Sequence, residues 1–132
     1  MNAPWRLFER GTARLVVERL ELACGFWSRF AGLQLRPRPP RGSGLLLAPC
    51  SSVHTCFLRF ALDVVMLDES GRVLEVRRGV RPWRAILPGR RTFAILEVPS
   101  ADASEIEPGQ SLRLERGDGK VYKLPNSLIA WT

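Results

Sequence analysis

The stretch LDVVMLDESGRVLEVR, residues 62–77, decides the fold. Val64, Val65, Met66 and Leu67 follow one another without a polar break, so an extended chain here has to be covered on both faces and sits centrally in a sheet. Asp68-Glu69-Ser70-Gly71 then reads as a four-residue turn ending on the glycine such turns favour, and Arg72–Arg77 returns as a second strand. A central hairpin follows from these residues alone.

Working outward, short strands are expected at close intervals. Leu45–Ala48 is an apolar run stopped by Pro49. Val53–Phe57 alternates, so that His54 and Cys56 share one face while Val53, Thr55 and Phe57 share the other. Thr92–Val98 carries a single charge, Glu97. Ser111–Arg116 and Val121–Leu124 flank Gly117-Asp118-Gly119 as a further hairpin. Arg14–Leu22 reads as a first strand rather than a helix, because Leu15, Arg19 and Leu22 make no clean stripe. Two short helices are expected: residues 25–35, with Phe26, Phe30 and Leu33 at helical spacing, and Ser100–Glu107, with Ser100 as N-cap and Pro108-Gly109 as stop. Between strands, RPRPPRGSG (36–44) is a stiff surface loop, since Pro37, Pro39 and Pro40 lack donors and fix φ. The expected architecture is mainly β, a single-domain sandwich or partly open barrel of seven to eight short strands over residues 1–132, with one or two short helices.

The composition agrees. With 132 residues, 45% of them hydrophobic and 25% charged, the chain can bury a self-sufficient core and is no disordered polar tail. No apolar run approaches the about 18 residues that a membrane-spanning helix needs. Met1–Ala13 has no apolar core of a signal peptide, and three cysteines (Cys24, Cys50, Cys56) cannot all pair within one chain; both point to free thiols and a cytoplasmic protein.

Charge is uneven. The formal net charge is +7, from 20 basic and 13 acidic residues. All the bases but Lys120 and Lys123 are arginine, whose planar fork grips two oxygens at once, although an arginine-favouring genome gives the same composition. The distribution says more than the total. Arg77, Arg78, Arg81, Arg84, Arg90 and Arg91 crowd a segment with no acid, whereas residues 97–118 are net acidic. A lopsided field of this kind fits contact with an acidic protein or nucleic acid through those six arginines.

The ordered set HTCFLRFALDVVMLDESGRVLEV (54–76), PWR (82–84) and AILEVP (94–99), with RFAGL (29–33) before it and Pro108-Gly109-Gln110 after it, resembles domain-of-unknown-function family 192. The resemblance runs over about residues 12–116, leaving 117–132 as a C-terminal extension. Gln34, Cys56 and Leu58 replace the methionine, aromatic residue and methionine usual in that family. The loss of both methionines argues against thioether ligands. What the resemblance implies is a compact β-rich fold; it brings no reaction with it.

The residues themselves offer one polar cluster. Asp63 opens a strand that should be buried, so its carboxylate needs a partner, and Arg59 is the nearest cation in sequence. His54 is the sole histidine and hence the only imidazole for proton transfer. Trp83, in an acid-free stretch beside Arg84, could stack a planar ligand. The candidate ligand site is therefore His54, Thr55, Arg59, Asp63, Trp83 and Arg84, suited to a small anionic ligand. The same residues would serve an enzyme of unassigned reaction class, with structural bracing of a turn as the plainer role for Asp63. Cys50, His54 and Cys56 match no established zinc spacing, so no metal or cofactor is expected.

Overall fold

A computed structural model of the chain describes residues 5–23, 37–48, 53–54, 59–86, 89–100, 105–117 and 120–123. Ten strands are described: β1 (Trp5–Glu9), β2 (Leu15–Ala23), β3 (Ser43–Leu47), β4 (Val53–His54), β5 (Leu62–Leu67), β6 (Val73–Val80), β7 (Ala85–Ile86), β8 (Ala94–Pro99), β9 (Leu112–Arg116) and β10 (Val121–Lys123). Eight of them form one mixed sheet in the order β10-β9-β1-β2-β3-β8-β5-β6, and β4 with β7 makes a separate two-stranded ribbon. The mainly β expectation holds. The helix expected over 25–35 lies outside the described residues, as do residues 101–104 of the one expected over 100–107; residues 100 and 105–107 are not helical.

The central hairpin is as the sequence indicated. β5 pairs antiparallel with β6 on one side and with β8 on the other, and all six of its residues are buried. Gly71 closes the turn by donating its N–H to the Asp68 carbonyl at 3.1 Å, with φ +87°, a left-handed conformation that only glycine adopts without penalty. Asp68 holds the same turn through its carboxylate, which accepts from Ser70 N–H, Ser70 hydroxyl and Arg72 N–H at 2.8–3.0 Å.

The sheet is open but curls back towards itself. The start of β6 reaches the segment before β9: Val73 N–H donates to the Gln110 carbonyl and Gly109 N–H to the Val73 carbonyl, both at 2.8 Å, and Arg72 bridges Ser111. This curl makes an inside and an outside. Inside, Leu7, Val17, Leu20, Leu46, Val65, Leu67, Leu96, Val98, Leu112 and Leu114 pack with Ile106 as the main core. Outside, Leu45, Leu47, Leu62, Val64, Met66 and Ile95 form a second cluster, closed by Ile86 of β7. The ribbon therefore covers the outer face of β3, β8 and β5, which explains why β5 has no polar face: alternate residues serve two cores.

Two strands were not foreseen. β1 lies between β2 and β9 although Arg6 and Glu9 interrupt its apolar pattern. Glu9 is buried there because its carboxylate accepts from the Thr12 N–H at 2.6 Å and the Thr12 hydroxyl at 3.0 Å. β7 is too short to carry a pattern. Among the described residues no helix is long and apolar enough to cross a membrane.

Candidate functional site

The site is set by an irregularity in β6. Pairing runs Leu62 with Val80 and Val64 with Arg77, so Asp63 faces two residues, Arg78 and Gly79, across a β-bulge. Gly79 takes φ +63°, and its N–H donates to Asp63 Oδ1 at 2.8 Å. A bulge frees one N–H from the ladder, and the Asp63 carboxylate satisfies it. The strand after the bulge bends, and the side chains beyond it are re-aimed.

Asp63 itself is 2% exposed and shares the inner face with Val65 and Leu67. Its observed cation is Arg78, whose Nη1 stands 3.7 Å from Oδ2, where the sequence had pointed to Arg59. The reason is the bulge, which brings Arg78 opposite Asp63 across the hairpin. Arg78 also donates to the Ile106 carbonyl and to Glu107 Oε1 at 3.4 Å, tying β6 to the segment before β9. Arg59 is exposed.

On the outer face, the end of β6 and β7 enclose a groove of about 330 Å³ lined by Arg77, Gly79, Val80, Arg81, Arg84, Ala85 and Ile86. No acid lines it. Arg77 is held by Glu75, Nε to Oε1 2.7 Å, with both side chains about half exposed. Val80 and Ile86 supply an apolar floor, and both belong to the outer core. His54 is placed by its backbone, in register with Ala85. Trp83 sits between the two groove arginines Arg81 and Arg84 in sequence, is 62% exposed, and has φ +65°. A bulky aromatic residue in that region is a true outlier, costing about 1–2 kcal/mol against a relaxed backbone. Arg84 Nη1 donates to the Trp83 carbonyl at 3.4 Å, linking the outlier to the groove wall.

The candidate set is thus divided. Arg84 lines the outer-face groove, the His54 backbone pairs with Ala85 of β7, and Trp83 adjoins Arg84 without lining the groove, whereas Asp63 belongs to the inner face of β5. Thr55 lies outside the described residues, as do Cys50 and Cys56. The six basic residues of 77–91 are likewise split. Arg77, Arg81 and Arg84 surround the groove, and Arg78 serves the Asp63 brace. Arg90 and Arg91 line a separate depression of about 340 Å³ that also contains Asp68 and Glu69.

Sequence reading missed Gly79, Val80, Ala85 and Ile86 as groove residues. A glycine inside a strand pattern is the signal that could have located the bulge. It also missed a buried carboxylate, Glu97, 3% exposed and in register with Val64 and Leu45. Its chain neighbours Leu96 and Val98 point inward, so Glu97 lies on the outer, ribbon-covered face. A second basic and aromatic spot lies on β1 and β9, where Arg6 and Arg113 stand over the Phe8 ring at 5.9 and 5.2 Å and Arg6 pairs with Glu115 at 3.1 Å.

Two carboxylates are held below their ordinary range. For Asp68, burial pushes upward, but the hydrogen bonds from Arg72 and Ser70 and the charge of Arg91 prevail. For Glu9, the Thr12 N–H and hydroxyl dominate.

Comparison with known proteins agrees with this fold. A UPF0127 protein of Thermococcus sibiricus is 30% identical over 97 residues, 70% of this chain; the match spans 62% of that relative's length. A UPF0127 protein of Pyrococcus furiosus is 32% identical over 104 residues, covering 74% of this chain and 87% of the relative. Among solved structures, a protein of unknown function from Novosphingobium aromaticivorans superimposes with TM-score 0.71 at 22% identity, covering 83% of this chain and 82% of that one. A protein from Sinorhizobium meliloti described as a candidate transcription regulator gives 0.69 at 19% identity, over 85% and 92%. At these identities the structural likeness speaks for the fold alone. The family match itself covers residues 7–114, and the chain belongs to the DUF192 family (Uncharacterized ACR, COG1430).

Proposed function

We propose that this chain is a binding module that holds a small anionic ligand in the groove between the bulged end of β6 and β7. The observation that carries the reading is the meeting of Arg77, Arg81 and Arg84 on one concavity with no acid among the described residues that line it. Arginine suits this task because its planar fork donates two parallel hydrogen bonds to phosphate or carboxylate oxygens. Val80 and Ile86 beneath lower the local dielectric and strengthen those bonds. The Glu75 contact does not prevent binding, since an exposed ion pair contributes only about 0–1 kcal/mol and a ligand oxygen can replace it.

In this reading Asp63 and Arg78 are not ligand contacts. They brace the bulge that aims the groove arginines. The broader alternative, a basic face for nucleic acid or an acidic protein, has less support because Arg78 is engaged on the Asp63 side and Arg90 and Arg91 share their depression with two acids.

The test is calorimetric titration with inorganic phosphate and pyrophosphate at low salt. Saturable binding, tighter for pyrophosphate and weakened about tenfold or more in Arg81→Ala and Arg84→Ala, is expected from losing a charge-assisted contact. Binding that is absent, or indifferent to both substitutions, contradicts the reading.

A further inference from the structure

Two turns of opposite charge meet at one end of the sheet. The first is Asp68–Gly71, closed by the Gly71 N–H on the Asp68 carbonyl, with Glu69 and Ser70 at its corners. The second is Gly89–Thr92, closed by the Thr92 N–H on the Gly89 carbonyl at 3.1 Å, with Arg90 and Arg91 at its corners. They are neighbours because β5 and β8 are antiparallel partners: Leu67 pairs with Ala94, and the Phe93 N–H donates to the Leu67 carbonyl at 2.8 Å. Thr92 is buried and Phe93 packs against the main core, so the arginine turn is anchored at its root. Both turns line the depression of about 340 Å³. Two carboxylates and two guanidiniums thus share one concavity, yet among the described residues no ion pair or hydrogen bond joins its two sides. Asp68 Oδ1 takes all three hydrogen bonds of its own turn, which leaves Oδ2 as an open acceptor. Arg91 is near enough for its charge to help hold the Asp68 carboxyl below its ordinary range.

We infer that this depression binds a small zwitterion of the amino-acid class, its carboxylate on Arg90 and Arg91 and its ammonium on Asp68 Oδ2 and Glu69. The charge balance selects the class. A simple anion entering here meets two carboxylates, and a simple cation meets two guanidiniums, so only a ligand carrying both signs gains from both walls. Each guanidinium fork can donate two parallel hydrogen bonds to a carboxylate, and an ammonium brings three donors for the acidic wall. The volume lies at the lower end of the range for small-molecule sites, which fits a molecule of this size. Backbone hydrogen bonds already fix both turns, so binding has only side-chain ends to order. A free amino acid and a dipeptide share this chemistry. The site is separate from the groove between β6 and β7, and its fate is independent of the anion site proposed there.

The experiment is an NMR titration of the full chain at neutral pH and low salt with L-alanine, L-alanyl-L-alanine, N-acetyl-L-alanine and L-alaninamide. The last two each lack one of the charges. The zwitterions should shift the backbone amides of Ser70, Gly71, Thr92 and Phe93 saturably, and each blocked form should bind about tenfold or more weakly than L-alanine. Two variants, each first shown to be folded by its unfolding transition, assign the walls. Glu69→Gln should weaken L-alanine severalfold without weakening N-acetyl-L-alanine, and Arg91→Ala should weaken L-alanine severalfold without weakening L-alaninamide. No saturable shift at these amides with either zwitterion, a blocked form that binds as well as L-alanine, or zwitterion binding indifferent to both substitutions overturns the inference. The dipeptide decides the source: tighter binding than L-alanine means a short peptide, and weaker or equal binding means a free amino acid.

Discussion

Replacing Asp63 tests the brace that positions the groove. Its carboxylate accepts from the Gly79 N–H at 2.8 Å and faces the Arg78 guanidinium at 3.7 Å. The relative weights follow from geometry. The Arg78 side chain is 39% exposed, so its attraction is screened by solvent and contributes about 1 kcal/mol or less. A hydrogen bond to an ionised acceptor contributes about 1.5–3 kcal/mol, and because Gly79 is exposed enough for water to reach a freed N–H, the lower half of that range applies. Asp63→Ala should therefore destabilise by about 2 kcal/mol. Asp63→Asn keeps an oxygen for Gly79 and should cost only about half as much. Urea unfolding at neutral pH of the native chain, both variants, Arg78→Ala and the Asp63→Ala/Arg78→Ala double variant gives each term and their coupling. Coupling below about 1 kcal/mol is expected. Coupling above about 2 kcal/mol, or an asparagine variant as damaged as the alanine one, would refute the reasoning by making the ion pair dominant.

The other predictions concern the ribbon, the outlier and acid stability. Ile86→Ala removes the β7 side chain that closes the outer core and should cost about 2–4 kcal/mol in urea unfolding while also weakening phosphate binding, because β7 forms a groove wall; loss of stability with unchanged binding would separate the ribbon from the site. Trp83→Gly should be at least as stable as Trp83→Ala, by up to about 1 kcal/mol, because relief of the left-handed conformation outweighs the glycine entropy penalty; a glycine variant clearly less stable would mean that the backbone is not under strain. Asp68 and Glu9 both have folded-state pKa values below their unfolded ones, so their stabilisation is complete above the ordinary carboxylate range and is lost as pH falls through the lowered values. Asp68→Asn and Glu9→Gln should each flatten the acid limb of a stability–pH curve, and an unchanged limb in both would count against these hydrogen bonds.

The central hairpin was legible because each of its signals is local. An uninterrupted apolar run can be a strand only where both faces are covered, and Asp68 to Gly71 forms a turn that needs no distant partner. β1 was not legible because its burial depends on partners far along the chain: Glu9 breaks the apolar pattern and is accommodated by Thr12 only once β2 and β9 flank it. The cation for Asp63 was misjudged for a related reason. Proximity in sequence favours Arg59, whereas a one-residue bulge at Gly79 delivers Arg78 across the hairpin. The basic segment 77–91 was plain in the sequence, but the convergence of three of its arginines was not. That depends on the bulge and on Ile86 joining the outer cluster of Leu62 and Val64, neither of which composition records.

Phosphate affinity measured against the arginine at each position bears most directly on the anion site. Arg81→Ala and Arg84→Ala should each weaken phosphate binding about tenfold or more, while Arg90→Ala and Arg91→Ala, in the depression shared with Asp68 and Glu69, should change it less than twofold. Equal losses at all four positions would mean that phosphate responds only to net charge, and the groove would have no claim as a site.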